Sequence, residues 1–179
     1  MKFLKMKIVL IGYMGSGKSA VGQMLASKLN VSFKDLDREI EIIEAKTISQ
    51  IFSEKGEIYF RKAELKILKD LLRDENNLVL STGGGTPCYS NVMDLLITDK
   101  NCITIYLNSS LNTLTDRIYN EKSKRPLISH LTTKEELKEF IAKHLFERSY
   151  YYNQSSNKLI TDGLNVEEVV NKIIKEILE

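Results

Sequence analysis

The 179-residue chain has no tryptophan, only two prolines and two cysteines, and nine glycines. So little proline and glycine excludes collagen-like and low-complexity sequence. Two cysteines, Cys88 and Cys102, without a paired spacing, argue against a disulfide framework or a zinc site and favour a reducing compartment. Basic residues exceed acidic ones by only two, so we expect no basic surface for nucleic acid.

Long hydrophobic runs are also missing. The apolar runs of four to six residues are too short to span a membrane. The beginning, MKFLKMKIVLIG, leads directly into a glycine-rich motif without a small-residue cleavage site, so it predicts a first strand and not a signal peptide. A content of 42% hydrophobic and 28% charged residues is typical of a globular protein. We therefore expect a single domain over 1–179, a cytoplasmic location and a monomer, with no membrane partner.

Short apolar runs alternate with helical patterns along the chain. Runs rich in Ile, Val and Leu on successive positions indicate parallel strands buried on both faces. Three such runs and two weaker ones are predicted at 8–11, 78–80, 103–107, 32–36 and 158–161. Between them the apolar spacing is helical, with Thr47, Thr133 and Asn165 as expected N-caps and Gly56 as a helix end. This alternation predicts a three-layer α/β fold.

The strongest local motif is GYMGSGKS at 12–19, which fits G-x-x-x-x-G-K-[ST] between a predicted strand and a predicted helix. Its glycines let backbone N–H groups surround phosphate oxygens, and the helix N-terminus adds partial positive charge. Lys18 is expected to contact the β- and γ-phosphates, and the Ser19 hydroxyl to ligate Mg²⁺. The motif predicts binding of a nucleoside triphosphate with Mg²⁺.

Two further segments follow predicted strands. Asp35 and Asp37 come after the second strand, and alternation along a strand would place both carboxylates at one edge of the sheet, one near Mg²⁺ and one near a hydroxyl acceptor. A polar strand end with a helix cap explains them equally well. The glycines at 83–85 follow another strand, where the lack of side chains lets a ligand approach the backbone. A flexible turn is the alternative for these glycines.

Three arginines lie where they could serve a phosphate-transfer site. Arg61 is near the start of a predicted helix, Arg148 is near the end of another, and Arg125 lies in a polar, basic segment at 119–132. Each would more commonly be a surface residue, and the segment a solvated loop. Together they suit a bidentate fork for a carboxylate and a finger on the transferred phosphate.

Six blocks, in order along nearly the whole chain, resemble the shikimate kinase family. They are GYMGSGKS at 12–19, DLD at 35–37, F-x-x-x-G-E-x-x-F-R at 52–61, GGG at 83–85, RPL at 125–127, and Arg148 with a tyrosine four residues on. The resemblance implies a P-loop fold like that of nucleoside monophosphate kinases, with a five-stranded parallel sheet flanked by helices and a mobile lid at about 119–132. It also implies Mg²⁺-dependent transfer from ATP to the 3-hydroxyl of shikimate, a step of aromatic amino acid biosynthesis.

The resemblance further implies residue roles. Lys18, Asp37 and Arg125 would be catalytic, with Asp37 as the base. Ser19 and Asp35 would organise Mg²⁺, Asp35 through water. The ATP-binding residues would be Gly15, Ser16, Gly17, Lys18, Ser19, Ala20, Arg117 and Arg125, with adenine between Arg117 and the loop at about 162–166. The shikimate-binding residues would be Asp37, Arg61, Gly83, Gly84, Gly85 and Arg148. Glu64 would orient Arg61 in an acceptor region at about 37–64, and Phe52 and Phe60 would form its apolar wall.

The chain departs from the family pattern at three positions. Tyr150 and Val166 replace prolines that are usual in the family, and Ala20 replaces a common hydroxyl residue. The alternatives are a related small-metabolite kinase, such as a gluconate kinase, and a non-catalytic nucleotide-binding protein. The F-R block opposes the first of these. The presence of Lys18, Asp37 and Arg125 opposes a non-catalytic protein. A GTPase is opposed by the lack of an N/T-K-x-D motif in the sequence.

Overall fold

The computed structural model describes residues 6–74, 76–121, 128 and 130–178. Arg125, with half of the predicted lid, lies outside the described residues. The five strands are β1 (Lys7–Ile11), β2 (Ser32–Asp35), β3 (Leu78–Ser81), β4 (Cys102–Asn108) and β5 (Asn157–Ile160). They form one parallel sheet in the order β2-β3-β1-β4-β5. All five strands predicted from the sequence are confirmed.

Burial on both faces explains why the three central strands, β1, β3 and β4, are so apolar. Along β1, Ile8 and Leu10 belong to one hydrophobic layer, and Val9 and Ile11 to the other. Successive side chains of a strand point to opposite faces, so both faces must be apolar when helices cover both. This arrangement confirms the three-layer α/β fold.

Seven helices are present in the described part of the chain. They are α1 (Lys18–Leu29), α2 (Leu36–Glu44), α3 (Ile48–Arg73), α4 (Val92–Thr98), α5 (Leu111–Tyr119), α6 (Lys134–Tyr152) and α7 (Val166–Ile173). A short 3₁₀ turn covers Thr86–Cys88. Within the described ranges, no helix combines the length and the apolar character that crossing a membrane requires.

The expected helix boundaries are confirmed by their hydrogen bonds. Thr47, Thr133 and Asn165 each accept a bond from a backbone N–H in the first turn, and each is part of a capping box. Gly56 interrupts the helical backbone of α3 with φ 79° and ψ 172°, so α3 consists of two helical segments joined at a kink. Glycine adopts this positive φ without the penalty that a Cβ would impose.

One expectation about the second strand is wrong. Asp35 and Asp37 do not share a strand face, because β2 ends at Asp35 and α2 begins at Leu36. The Asp35 side chain accepts a hydrogen bond from the backbone N–H of Arg38 and caps α2. Asp37 is therefore presented from the first turn of a helix, a geometry that strand alternation does not describe.

Candidate active site at the carboxyl edge of the sheet

A cleft of about 760 Å³ opens at the edge where the parallel strands end. This edge is where ligands bind in open α/β sheets. The cleft is lined by residues of the glycine-rich loop, of the two acidic and glycine segments, and of the chain around α5 and α7. They include Gly15, Ser16, Gly17, Lys18, Ser19, Ala20, Asp35, Asp37, Gly83, Gly84, Arg117 and Val166. Most of the predicted site residues thus surround one cavity.

The loop between β1 and α1 forms the phosphate end of the cleft. Gly15, at φ 78°, allows close packing, since a Cβ there would lie 2.8 Å from Cγ1 of Ile118. The buried Lys18 Nζ donates hydrogen bonds to the carbonyls of Gly12 (2.8 Å) and Tyr13 (2.9 Å). Ser16 Oγ is buried and has no hydrogen-bond partner among the described atoms. An unsatisfied buried hydroxyl just before the N-terminus of α1 fits a bound phosphate.

Oxygen donors lie next to this loop. Ser19 Oγ donates to Asp35 Oδ2 at 2.7 Å and lies 3.5 Å from Ser81 Oγ. No group of three or more His, Cys, Asp or Glu side chains that could hold a metal occurs in the described ranges. A hydroxyl and one carboxylate suit Mg²⁺, which retains several waters and is commonly shared with substrate phosphates.

Asp37 occupies the middle of the cleft. A Cβ built on Gly83 would lie 2.8 Å from Asp37 Oδ1, so the carboxylate contacts the glycine segment directly. The pKa of Asp37 is raised to about 6, mainly by burial and then by the nearby carboxylates of Asp35 and Glu64, with Lys18 opposing the rise. A carboxylate with such a pKa is ionised at neutral pH and is a stronger base than an ordinary aspartate.

Arg61, on α3, is fixed by an acidic partner. Arg61 Nη1 donates to Glu64 Oε2 at 2.8 Å, and the other oxygen of this buried carboxylate accepts a 2.6 Å hydrogen bond from Thr86 Oγ1. The guanidinium carbon lies 3.9 Å from the ring centroid of Tyr89. These contacts agree with the expectation that Glu64 orients Arg61, and they keep the guanidinium in one place.

The same guanidinium faces the glycine segment. A Cβ on Gly85 would lie 3.0 Å from Arg61 Nη2. Phe52 and Phe60, which are predicted to form an apolar wall, have ring centroids 4.6 Å apart; Phe60 is buried and Phe52 is exposed.

Arg148, near the end of α6, lies on the other side of the glycine segment. A Cβ on Gly84 would be 3.5 Å from Arg148 Nη1. Arg148 also hydrogen-bonds the buried Tyr152, whose hydroxyl donates to the carbonyl of Gly84. The glycines at 83, 84 and 85 thus contact Asp37, Arg148 and Arg61 in turn. The fold brings these three side chains together beside the phosphate loop, as the six sequence blocks predict.

A shikimate kinase family model matches residues 14–178 of the chain. The chain belongs to the shikimate kinase family. A shikimate kinase of Flavobacterium johnsoniae is 46% identical over 168 residues, which cover 94% of this chain and 96% of that protein. The resemblance drawn from the sequence is confirmed, and with it the expectation of an enzyme of the kinase class.

Solved structures agree. The shikimate kinase of Bacteroides thetaiotaomicron superposes with a TM-score of 0.89 at 34% sequence identity. The superposition covers 97% of this chain and 99% of that protein. The shikimate kinase of Acinetobacter baumannii, solved in complex with shikimate, gives a TM-score of 0.83 at 32% identity, with 96% and 92% covered. The fold predicted for this family member is therefore confirmed.

One end of the cleft is formed by α5 and the loop after β5. Arg117 Nη1 donates to the carbonyl of Gly15 at 3.3 Å, so this side chain lies against the phosphate loop. Asp162 accepts hydrogen bonds from the Ser110 N–H at 3.0 Å and from the Thr113 hydroxyl, and this ties the loop at 162–166 to the start of α5. Both elements line the cleft where adenine is predicted to bind.

Sequence reasoning missed four residues that support the site. Thr86 holds Glu64, Tyr89 lies under Arg61, Tyr152 joins Arg148 to Gly84, and Tyr13 lies beside Arg148. Only Tyr152 had a signal in the sequence, its spacing of four residues from Arg148. The other contacts join distant parts of the chain, where no local pattern indicates them.

Proposed function

We propose that this protein transfers the γ-phosphoryl group of ATP to the 3-hydroxyl of shikimate, forming shikimate 3-phosphate and ADP. The observation that carries the proposal is the placement of Asp37, Arg61 and Arg148 around the glycines at 83–85, next to the phosphate loop. A small acid bearing hydroxyl groups could then be held by its carboxylate with a hydroxyl directed at Asp37. Such positioning supplies much of the catalysis in phosphoryl transfer.

The two arginines would bind the carboxylate of the acceptor. Arg61 offers a planar set of N–H donors, and the buried Glu64 holds that plane in one orientation. Arg148 would add a second cation, fixed by Tyr152. The glycine segment lets Asp37, Arg148 and Arg61 approach the backbone closely, because a Cβ at each glycine would contact one of these side chains.

On the donor side, the loop at 12–19 would bind the phosphates of ATP. Lys18 would exchange its two carbonyl partners for phosphate oxygens, and the unpaired Ser16 hydroxyl would donate to another. Ser19 and Asp35 would hold Mg²⁺, Asp35 through water. When bound, Mg²⁺ supplies positive charge that offsets the charge developing on the phosphates.

Asp37 would accept the proton of the attacking hydroxyl. Its raised pKa, about 6, keeps it ionised at neutral pH while increasing its affinity for the proton. Arg125 of the predicted lid, which lies outside the described residues, would stabilise the transferred phosphoryl group. Closure of a lid over the cleft would exclude water, which otherwise competes with the acceptor for ATP.

We also propose that the protein acts as a cytoplasmic monomer. Cys88 and Cys102 are free thiols, as suits a reducing compartment. Gel filtration at working concentration would test the monomer.

A coupled assay of ADP release tests the activity. Shikimate, gluconate and nucleoside monophosphates are offered in parallel, with ATP and Mg²⁺. Of the three acceptors, we expect only shikimate to give rapid ADP release. NMR of the product should show the phosphate on the 3-hydroxyl. Faster release with gluconate or with a nucleoside monophosphate would reject the proposed acceptor.

A further inference from the structure

We propose that His144 is a positioning residue that acts through Tyr13 to place the Arg148 guanidinium for acceptor binding. This inference rests on the proposed role of Arg148 in the function above. The Tyr13 hydroxyl lies 3.1 Å from His144 Nδ1. The two residues are 131 positions apart in the chain, and their hydrogen bond joins the phosphate loop to α6.

Tyr13 is held at both of its ends. Its backbone carbonyl accepts a hydrogen bond from Lys18 Nζ at 2.9 Å, and its side chain is buried, with 1% of its surface exposed. The hydroxyl at the tip of the Tyr13 side chain is hydrogen-bonded to His144. Because the backbone is held in the loop and the hydroxyl is held on α6, the direction of the ring axis is fixed, and burial of the side chain restricts rotation of the ring about that axis.

Arg148 lies against that ring. Its guanidinium carbon is 5.4 Å from the centroid of Tyr13, within the range of a cation–π contact. His144 precedes Arg148 by four residues on α6, so both side chains lie on the same side of the helix. Tyr13 therefore contacts two successive turns of α6, one through its hydroxyl and one through its ring.

His144 is in turn fixed by its own neighbour. The ring of Phe140, one turn earlier on α6, lies 4.2 Å from the imidazole, centroid to centroid. Phe140, His144 and Arg148 thus form a row along α6, with Tyr13 contacting the second and third members. Loss of the Tyr13–His144 hydrogen bond would free the ring to tilt, and Arg148 would lose the fixed surface on which it lies.

Loss of the Tyr13–His144 hydrogen bond should weaken binding of the acceptor and leave binding of ATP unchanged. Arg148 contacts the glycine segment on the acceptor side. The contacts of the phosphate loop with Lys18 are made by backbone carbonyls, which a side-chain change leaves in place. A structural role alone would lower stability without separating the two substrates.

The variants Tyr13→Phe and His144→Phe test this inference. Each keeps a ring of similar size and removes the hydrogen bond. We expect each to raise the KM for shikimate roughly three- to tenfold, the size of one hydrogen bond, with the KM for ATP unchanged. The double variant should match either single variant, because the same bond is lost in all three. His144→Gln, which can restore a hydrogen bond, should recover part of the affinity.

Glu139→Gln, at an exposed position of the same helix, is the matched control and should leave both KM values unchanged. Thermal denaturation of each variant checks that the fold is intact, and Tyr13→Phe alone suffices should His144→Phe fail to fold. An unchanged KM for shikimate, equal rises in both KM values, or additive effects in the double variant would overturn the positioning role. Failure of the wild-type enzyme to use shikimate would instead reject the proposed function, so the two failures are distinguishable.

Discussion

The carboxylate of Asp37 lies so close to Gly83 that a Cβ on this glycine would stand 2.8 Å from Asp37 Oδ1. The same Cβ would lie 2.9 Å from Thr86 Oγ1, which holds Glu64. Gly83 is not among the glycines with positive φ, so the backbone conformation alone does not require glycine here. The close approach of the candidate base and of the support for Arg61 does require it.

Gly83→Ala should therefore impair acceptor chemistry. The added methyl group would displace Asp37, Thr86 or both, and we expect kcat/KM for shikimate to fall by about 10²-fold, since small misplacements in an active site are costly. The dissociation constant of ATP, measured by calorimetry, should stay near the wild-type value because the phosphate loop is untouched. Wild-type turnover in this variant would show that the pocket tolerates a Cβ and that Asp37 need not contact Gly83.

The pH dependence of the reaction should report Asp37. The pKa of this group is raised to about 6, and only its ionised form can accept a proton. Hence kcat/KM for shikimate should decline as pH falls through about 6 and should level off above about 7. Rate profiles measured between pH 5 and 9 at constant ionic strength test this, and in Asp37→Asn the residual rate should lose that limb. A decline centred near pH 4 would mean that the base is an ordinary exposed carboxylate or another group.

Asp37→Asn should also stabilise the protein at neutral pH. A carboxyl group whose folded pKa is raised contributes stability that is full below the unfolded value, near 3.8, and is lost as pH rises through about 6. The ionised Asp37 thus costs about 3 kcal/mol at pH 8, which Asn avoids. We expect the melting temperature to rise by about 6 to 12 °C at pH 8 and to change little at pH 4. Destabilisation at pH 8 would contradict this account of the carboxylate.

Arg61→Lys should weaken acceptor binding while keeping the charge. Lysine cannot reproduce the planar pair of N–H donors that Glu64 orients, so we expect the KM for shikimate to rise about 10- to 100-fold with little change in the KM for ATP. Arg73→Lys is the matched control on the same helix, because the Arg73 side chain is 78% exposed. If the two variants have the same KM for shikimate, Arg61 does not contact the acceptor.

Arg125→Ala tests the predicted lid arginine. A cation that acts on the phosphoryl group in the transition state affects kcat and kcat/KM together, and we expect both to fall by about 10³-fold. Steady-state kinetics with both substrates varied measures this. A change confined to KM would assign Arg125 to ground-state binding only.

Local sequence patterns accounted for much of the scaffold. The glycine-rich motif at 12–19 could be identified because its glycines, lysine and serine act within one strand–turn–helix unit. The capping residues Thr47, Thr133 and Asn165 act within a single turn, so they too could be identified. The helix α2 was missed, because Asp35 is compatible with a strand end and with a helix cap until the chain around it is placed.

Most of the residues that support the site could not be identified from local sequence patterns. Glu64 could be paired with Arg61 because they are three residues apart on one helix. The contact of Tyr152 with Gly84 joins positions 68 residues apart, and that of Tyr13 with His144 joins positions 131 apart. Residues so distant meet only when helices and strands pack, and nothing in their local sequence marks them as partners.

The sequence alone thus identified the phosphate loop and the apolar strands, because each depends on neighbouring residues. It also identified the family, because the six blocks are distributed along nearly the whole chain. Only the tertiary structure decided that three consecutive glycines each contact a different charged side chain, and that a tyrosine of the phosphate loop contacts the helix that carries Arg148. The reason is physical. Local hydrogen bonds and periodic burial depend on short-range sequence, whereas the placement of a carboxylate or guanidinium to within an ångström depends on how separate layers pack together.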